Sequence, residues 1–133
     1  MADFVLDTSA VLALRGDEPG ADRVEHILRR AITGTSEVLV SFMTRMEVLY
    51  RITADEAEES AQSAVRLLES TGIRWVSCDD VILVEAARLK ARGGLSVADA
   101  WIASTALHND AVLVHKDPEF ERVPEVRQEQ LPE

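Results

Sequence analysis

Cysteine, aromatic residues and long apolar runs are all scarce in this chain of 133 residues. Its one cysteine, Cys78, excludes a disulfide within the chain, and no Cys/His spacing resembles that of a zinc site. No stretch approaches the roughly 18 consecutive apolar residues that indicate a membrane-spanning helix. The N-terminus also lacks the basic and apolar regions of a secretory signal. These absences predict a cytoplasmic protein without a membrane span.

Aromatic residues make up 5% of the chain, although hydrophobic residues make up 47%. The core must therefore consist of Leu, Val, Ile and Ala, a composition that suits helices packed in layers on a sheet. A length of 133 residues is close to the commonest domain size. We accordingly expect one α/β domain over residues 1–133.

Basic residues are also under-represented. The chain has 14 Lys and Arg and 24 Asp and Glu, which gives a formal net charge of −10. This balance is unusual for a protein that binds nucleic acid, because phosphate-binding surfaces are usually basic. A cluster of carboxylates would account for part of the negative charge, and a bound metal ion would offset it. An acidic surface would also attract a basic segment of a partner protein.

Short apolar runs alternate with amphipathic helical patterns along the chain. That alternation predicts a parallel sheet with right-handed crossovers, and ligands of such sheets bind beyond the carboxyl ends of the strands. The predicted strands cover residues 4–6, 38–40, 73–76 and 111–114, with a weak edge strand at 126–127. The predicted helices cover residues 10–14, 21–32, 55–70, 79–92 and 96–108, with another that starts at residue 42 and has Phe42, Met43, Met46, Leu49 and Tyr50 as its apolar side.

Four acidic residues occupy positions from which they could reach one ligand site. Asp7 directly follows the first strand and Asp117 lies shortly after the fourth, while Glu47 and Asp99 fall in the first turns of two helices. Taken singly, each has an ordinary explanation: helix capping for Asp7, a capping-box spacing for Glu47 and Asp99, and a turn before proline for Asp117. Capping accounts for each position but not for the convergence of all four at one edge of the sheet.

Carboxylates brought together repel one another, by about 4 kcal/mol per pair at roughly 4 Å and an effective dielectric of roughly 20. A divalent cation removes that repulsion, and ligation by oxygen alone indicates Mg²⁺, with Mn²⁺ as the alternative, rather than zinc. An ion held by Asp7, Glu47, Asp99 and Asp117 would polarise a phosphodiester and activate water for attack on it. Ser9 follows Asp7 by two residues, where its hydroxyl could hydrogen-bond an acid or start the helix.

Four segments of the chain, taken together, resemble a PIN domain of the VapC toxin type. They are VLDTSA at residues 5–10, SFMTRME at 41–47, LSVADA at 95–100 and LVHKDPEF at 113–120, in the family order and with family-like spacing. The resemblance implies a three-layer α/β/α domain with a central parallel sheet. It also implies a Mg²⁺-dependent endoribonuclease that acts on RNA, forms a homodimer and is inhibited by a cognate VapB-type antitoxin.

Carried over position by position, the resemblance implies that Asp7 and Asp99 are the principal metal-binding acids. Glu47 and Asp117 match the remaining acidic positions, and Ser9 matches the small hydroxyl residue of the first segment. The chain departs from the commonest pattern at the His-Lys pair before Asp117, where many relatives have a small or hydroxyl residue. That departure bears on the surroundings of Asp117 and on substrate preference.

Two other functions fit parts of the pattern. A PIN nuclease of RNA processing would share the acids, but such roles usually accompany long insertions or extra domains that this chain lacks. A phosphoacceptor receiver module has a similar length, an acidic pocket on a parallel sheet and a lysine after a late strand, where Lys116 would serve. That module needs an aspartate at the end of its middle strand, whereas Ser41 follows residues 38–40 here. The toxin ribonuclease is therefore the favoured function.

Overall fold

The computed structural model describes residues 2–133 and consists of one sheet with helices on both faces. Its strands are β1 (Phe4–Leu6), β2 (Val38–Ser41), β3 (Arg74–Val76), β4 (Val112–His115) and β5 (Gln128–Gln130). Its α-helices are α1 (Thr8–Arg15), α2 (Ala21–Ile32), α3 (Phe42–Asp55), α4 (Glu58–Glu69), α5 (Asp80–Ala91) and α6 (Val97–His108). A 3₁₀ helix over Pro118–Arg122 follows β4. Within residues 2–133, no helix combines the length and the apolarity needed to cross a membrane.

The sheet is parallel throughout, with the strand order β3-β2-β1-β4-β5. The central strand β1 places Phe4 opposite Val38 of β2 and opposite Val112 of β4. All carboxyl ends therefore lie at one edge of the sheet, as predicted. This order differs from the 2-1-3-4-5 order of receiver modules, which argues against the phosphoacceptor alternative.

Alternate residues of the strands contribute to two apolar cores, one on each face of the sheet. In β1, Phe4 and Leu6 pack with residues of α1, α2, α3 and α4, whereas Val5 packs with residues of α5 and α6. Strands buried on both faces are predominantly apolar, which explains the short apolar runs in the sequence. The predicted three-layer α/β/α arrangement is confirmed.

Two predicted elements differ from the structure at their ends. The helix predicted over residues 55–70 is wrong at its start, because α3 runs through Asp55 and a two-residue break precedes α4. The edge strand predicted at residues 126–127 is wrong by two residues, since β5 covers Gln128–Gln130. Val126 instead packs into the core beneath α5 and α6.

The predicted apolar side of α3 is wrong in part. Its buried residues are Thr44, Val48 and Ile52. Met46 and Tyr50, both predicted to face the core, are 57% and 50% exposed. The buried hydroxyl of Thr44 has a hydrogen-bond partner, the hydroxyl of Thr8 in α1 at 3.2 Å. Apolar periodicity does not indicate such a polar contact between helices.

A turn with two glycines sets the start of α6. Gly93 and Gly94 have φ angles of 84° and 92°, which residues other than glycine rarely adopt. A Cβ atom at Gly94 would also collide with the side chain of Arg122. The turn leads to Ser96, whose hydroxyl caps α6 by accepting a hydrogen bond from the backbone N–H of Asp99 at 3.0 Å. Asp99 thereby lies in the first turn of α6.

Candidate functional site

The four predicted acids lie together at the edge of the sheet where the parallel strands end. Asp7 directly follows β1, Asp117 follows β4 by two residues, and Asp99 lies in the first turn of α6. Glu47 lies in the second turn of α3, one turn later than predicted. Their carboxylates repel one another. The charges of Asp117 and Glu47 help to raise the pKa of Asp7, and the charges of Asp7, Glu47 and Asp117 help to raise the pKa of Asp99.

Asp7 both caps a helix and belongs to this group of acids. Its carboxylate accepts a hydrogen bond from the backbone N–H of Ala10 at 2.8 Å and so caps α1. The Ser9 hydroxyl lies 2.7 and 2.8 Å from the two carboxylate oxygens. Burial to 3% exposure outweighs these hydrogen bonds and raises the pKa of Asp7 to about 7. Asp7 therefore serves as the N-cap of α1 and also lies among the other acids.

Glu47 is held by a threonine and an arginine. The Thr8 hydroxyl donates to Glu47 Oε1 at 2.7 Å, and the Arg51 guanidinium lies 3.4 Å from Oε2. The capping-box interpretation is wrong for Glu47, because the N-cap of α3 is Ser41. The hydrogen bond from Thr8 ties Glu47 to the start of α1, directly beside Asp7.

Asp99 and Asp117 lie beside a further acid that the sequence analysis missed. Carboxylate oxygens of Asp99, Asp117 and Glu119 all lie within 4.8 Å of one another. Burial, together with a hydrogen bond to Asp117 and repulsion from the other acids, raises the pKa of Asp99 to about 7. We call Asp7, Glu47, Asp99, Asp117 and Glu119 the acidic cluster.

The 3₁₀ helix after β4 explains how Glu119 joins the acidic cluster. Pro118 occupies the first position of this helix, and Asp117 caps it by accepting a hydrogen bond from the backbone N–H of Glu119 at 2.9 Å. The tight turn brings the second carboxylate back beside the first. The Asp-Pro-Glu sequence was the available signal, since an acid before proline predicts a turn and a second acid lies within that turn.

Ser9 and Lys116 link the start of α1 to the end of β4. The Ser9 hydroxyl accepts a hydrogen bond from the backbone N–H of Lys116 at 2.9 Å while it contacts the Asp7 carboxylate. Lys116 Nζ lies 3.2 Å from Glu18 Oε1 and 3.1 Å from the carbonyl oxygen of Pro19, and this side chain is 14% exposed. Lys116 therefore secures the loop between α1 and α2, whereas Ser9 supports Asp7.

The donor set of the acidic cluster fits a hard divalent cation. Its side chains offer carboxylate oxygens, which Mg²⁺ and Mn²⁺ prefer and which suit zinc less well. Buried acids with raised pKa values gain most from a bound cation, because the cation stabilises the charge that burial disfavours. Asp99, Asp117 and Glu119 provide the closest set of oxygens, and Asp7 is the most deeply buried of the predicted acids.

Comparison with known proteins identifies the family. The sequence profile of the PIN domain matches residues 4–126, which is most of the chain. The protein therefore belongs to the PIN domain family, and the resemblance noted from four segments is confirmed at that level. Among curated protein sequences, none matches this chain significantly.

Several solved structures share the fold. A chain of VapBC2 from Rickettsia felis, bound to a promoter DNA fragment, is 19% identical with a TM-score of 0.77, over 97% of this chain and 98% of that one. A chain of DNA-bound VapBC from Salmonella typhimurium is 23% identical with a TM-score of 0.76, over 98% of both chains. VapC20 from Mycobacterium tuberculosis, a sarcin-ricin loop cleaving toxin, is 16% identical with a TM-score of 0.70, over 94% of this chain and 99% of that one. At these identities the similarity establishes a common fold.

Proposed function

We propose that this protein is a metal-dependent endoribonuclease and the toxin of a VapBC-type toxin-antitoxin pair in the cytoplasm. The observation that carries the proposal is the acidic cluster, in which two carboxyl groups have pKa values near 7. Membership of the PIN domain family and the fold shared with VapBC structures support it. RNA as the substrate is supported by the similarity to VapC20.

The residues of the acidic cluster divide into ligands and a proton acceptor. Asp7 and Asp99 would hold Mg²⁺ or Mn²⁺, with Asp117 and Glu119 completing the oxygens around it. A bound divalent cation supplies Lewis acidity at the phosphate and lowers the pKa of water. Glu47 would accept the proton of the attacking water, since the hydrogen bond from Thr8 to Oε1 holds its carboxylate beside Asp7 and the contact of Oε2 with Arg51 is longer, at 3.4 Å.

Purified protein is expected to cleave single-stranded RNA in Mg²⁺ or Mn²⁺ and to lose this activity in EDTA. Asp99→Asn should be inactive, because it removes a ligand charge but leaves the Ser96 cap of α6 in place. Labelled RNA and DNA of the same sequence, separated on denaturing gels, identify the substrate. RNA cleavage that persists in EDTA or in Asp99→Asn would rule out the metal-dependent mechanism.

An apolar groove between α1, α2 and α4 is the surface at which we place the antitoxin. The groove has a volume of about 630 Å³ and is lined mainly by Val11, Leu14, Leu28, Ile32, Leu67 and Leu68. Ile32 and Leu67 are 65% and 71% exposed, which leaves an apolar strip that fits an amphipathic helix of a partner. The formal net charge of −10 favours a basic segment in that partner.

A second apolar surface on α5 supports a homodimer. Val81 and Val84 are 63% and 49% exposed. Glu85 and Arg88 lie beside them and pair with each other at 3.2 Å. In a two-fold contact the same patch meets itself, so each acid can face the arginine of the second copy while the valines are buried.

Two variants are expected to separate these partners. Leu67→Asp should weaken binding of the protein encoded by the adjacent small reading frame by about 10- to 100-fold, because the new carboxylate would lose its hydration in the groove. Val84→Asp should abolish self-association instead. Pull-down and growth rescue on co-expression report the first effect, and light scattering reports the second.

Each variant is the control for the other, since both place the same charge on an exposed helical position. Equal effects of the two variants on antitoxin binding would contradict the groove assignment. If no adjacent small reading frame exists and expression is harmless to the host, the toxin part of the proposal is wrong, whereas the nuclease part is tested by RNA cleavage alone.

A further inference from the structure

His115 is a buried polar residue whose role the acidic cluster does not explain. It ends β4, two residues before Asp117, and is 1% exposed. Its ring packs against Phe120 with centroids 4.8 Å apart. Burying an imidazole is costly unless both ring nitrogens have hydrogen-bond partners, and His115 has two.

The partners of His115 determine which ring nitrogen carries the proton. The backbone N–H of Asp117 lies 3.1 Å from Nδ1, and because a backbone N–H can only donate, Nδ1 must be the acceptor. The proton is therefore on Nε2, which donates to Gln128 Oε1 at 2.9 Å. The Gln128 amide nitrogen then donates to the carbonyl oxygens of Phe120 and Val123 at 2.8 and 3.0 Å. Every donor and acceptor in this chain of hydrogen bonds has one consistent role.

These hydrogen bonds connect β5 to the turn that carries two acids of the acidic cluster. Gln128 is the first residue of β5, and its amide binds the carbonyl oxygens of Phe120, in the middle of the 3₁₀ helix, and of Val123, directly after that helix. His115 holds the backbone of Asp117 at the start of the same turn. The carboxylates of Asp117 and Glu119 lie on this turn, within 4.8 Å of a carboxylate oxygen of Asp99.

We propose that His115 and Gln128 are positioning residues that fix the 117–119 turn, so that the Asp117 and Glu119 carboxylates meet Asp99 at the distance a divalent cation requires. The inference rests on the proposed function, because it presumes that these oxygens bind metal. His115 is 1% exposed, and the group through which it acts on the turn is the backbone N–H of Asp117. Its effect should therefore be seen in metal affinity, independently of RNA cleavage.

Asparagine and glutamine at position 115 separate the roles of the two ring nitrogens. In His115→Asn the side-chain oxygen can take the place of Nδ1 and accept from the Asp117 N–H, but nothing reaches Gln128. In His115→Gln the terminal amide can take the place of Nε2 and keep the Gln128 contact, but the Asp117 N–H loses its acceptor. Both variants lose the ring packing against Phe120, so their thermal stability should fall by similar amounts.

Mn²⁺ titration of the purified full-length variants, followed by electron paramagnetic resonance, tests the inference. His115→Gln is expected to weaken Mn²⁺ binding by about 10- to 100-fold, as loss of supporting hydrogen bonds around metal ligands does. His115→Asn should stay within a few-fold of the wild type. A purely structural role would instead make both variants lose affinity equally, in step with their stability, and that result would overturn the inference.

Gln128→Met provides a second readout in case the position 115 variants do not fold. Gln128 is half-buried, so a methionine of similar length fits the same space while it removes the hydrogen bonds to His115 Nε2 and to the two carbonyl oxygens. Mn²⁺ affinity should fall in this variant, and unchanged affinity would overturn the inference. If the wild type itself binds no Mn²⁺, the proposed metal site fails and the inference with it. If the wild type and all variants bind equally, the positioning role alone fails.

Discussion

Asp7→Asn is expected to abolish RNA cleavage and, at the same time, to raise the stability of the metal-free protein. The two effects have one cause, the negative charge of a carboxylate that is 3% exposed. Loss of about 4 kcal/mol of charge stabilisation in the transition state would reduce cleavage by about a thousandfold. The asparagine side-chain oxygen can still accept from the backbone N–H of Ala10, so the cap of α1 is retained.

The gain in stability follows from the raised pKa of Asp7. At about pH 8 the carboxylate is ionised in both the folded and the unfolded state, and its burial costs free energy that a neutral amide avoids. The rise in pKa from 3.8 to about 7 corresponds to a gain of about 1–4 kcal/mol for Asp7→Asn. Thermal unfolding in EDTA at that pH measures it, alongside cleavage assays in Mg²⁺.

Asp79→Asn is the matched control for this prediction. Asp79 also caps a helix, since its carboxylate accepts hydrogen bonds from the backbone N–H groups of Val81 and Ile82. Unlike Asp7, it is exposed and lies outside the acidic cluster. Its replacement should change neither cleavage nor stability by a comparable amount. Two results would contradict the assignment of Asp7 as a buried metal ligand. One is RNA cleavage that survives in Asp7→Asn, and the other is a loss of stability in this variant as large as the loss of a helix cap causes.

The positions of most of the acidic cluster could be predicted because burial leaves a clear pattern in parallel strands. β1 and β4 are buried on both faces and therefore appear as apolar runs, over residues 4–6 and 112–114. The first acids after such runs, Asp7 and Asp117, lie at the carboxyl edge of the sheet where ligands bind. Asp99 could be placed because Ser96 is a strong helix-start signal.

Other features depend on contacts that a side-chain pattern does not record. β5 has the sequence Gln-Glu-Gln and forms through backbone hydrogen bonds to β4, which require no apolar residues at a sheet edge. Glu119 reaches the acidic cluster only because the 3₁₀ helix closes tightly after Pro118. The hydrogen bonds of His115 join residues 13 positions apart. The sequence showed that His115 departs from the family pattern but not what it contacts.

Lowering the pH from about 8 to about 6 is expected to weaken Mg²⁺ or Mn²⁺ binding by about 10- to 100-fold. The pKa values of Asp7 and Asp99 are both raised to about 7, so protons compete with the cation for the same oxygens in this range. A single such group changes from about 90% to about 10% ionised between these pH values, and two groups multiply the effect. Calorimetry in buffers of different ionisation enthalpy should show protons released as the metal binds.

The stability of the metal-free protein should respond to pH in the opposite direction to metal affinity. Because the pKa of Asp7 is 3.8 ordinarily and about 7 when folded, the folded state binds more protons between these values. The stabilisation of the folded state by protonated Asp7 is complete below about pH 3.8 and is lost as the pH rises through about 7. Burial lowers the pKa of His115 from 6.5, which has the opposite effect near that pH.

Subtracting the unfolding free energy of Asp7→Asn from that of the wild type removes the contribution of His115, which is present in both proteins, and leaves that of Asp7 together with its effect on the pKa of Asp99. In EDTA this difference should become more favourable to the wild type by about 1.4 kcal/mol when the pH falls from about 8 to about 6. Glu56 and Glu125, whose pKa values are lowered from 4.5 by Arg15 and Arg92, affect stability only at lower pH. Parallel pH profiles for the two proteins would show that Asp7 is already ionised at pH 6, and protons would then compete with the cation at Asp99 but not at Asp7.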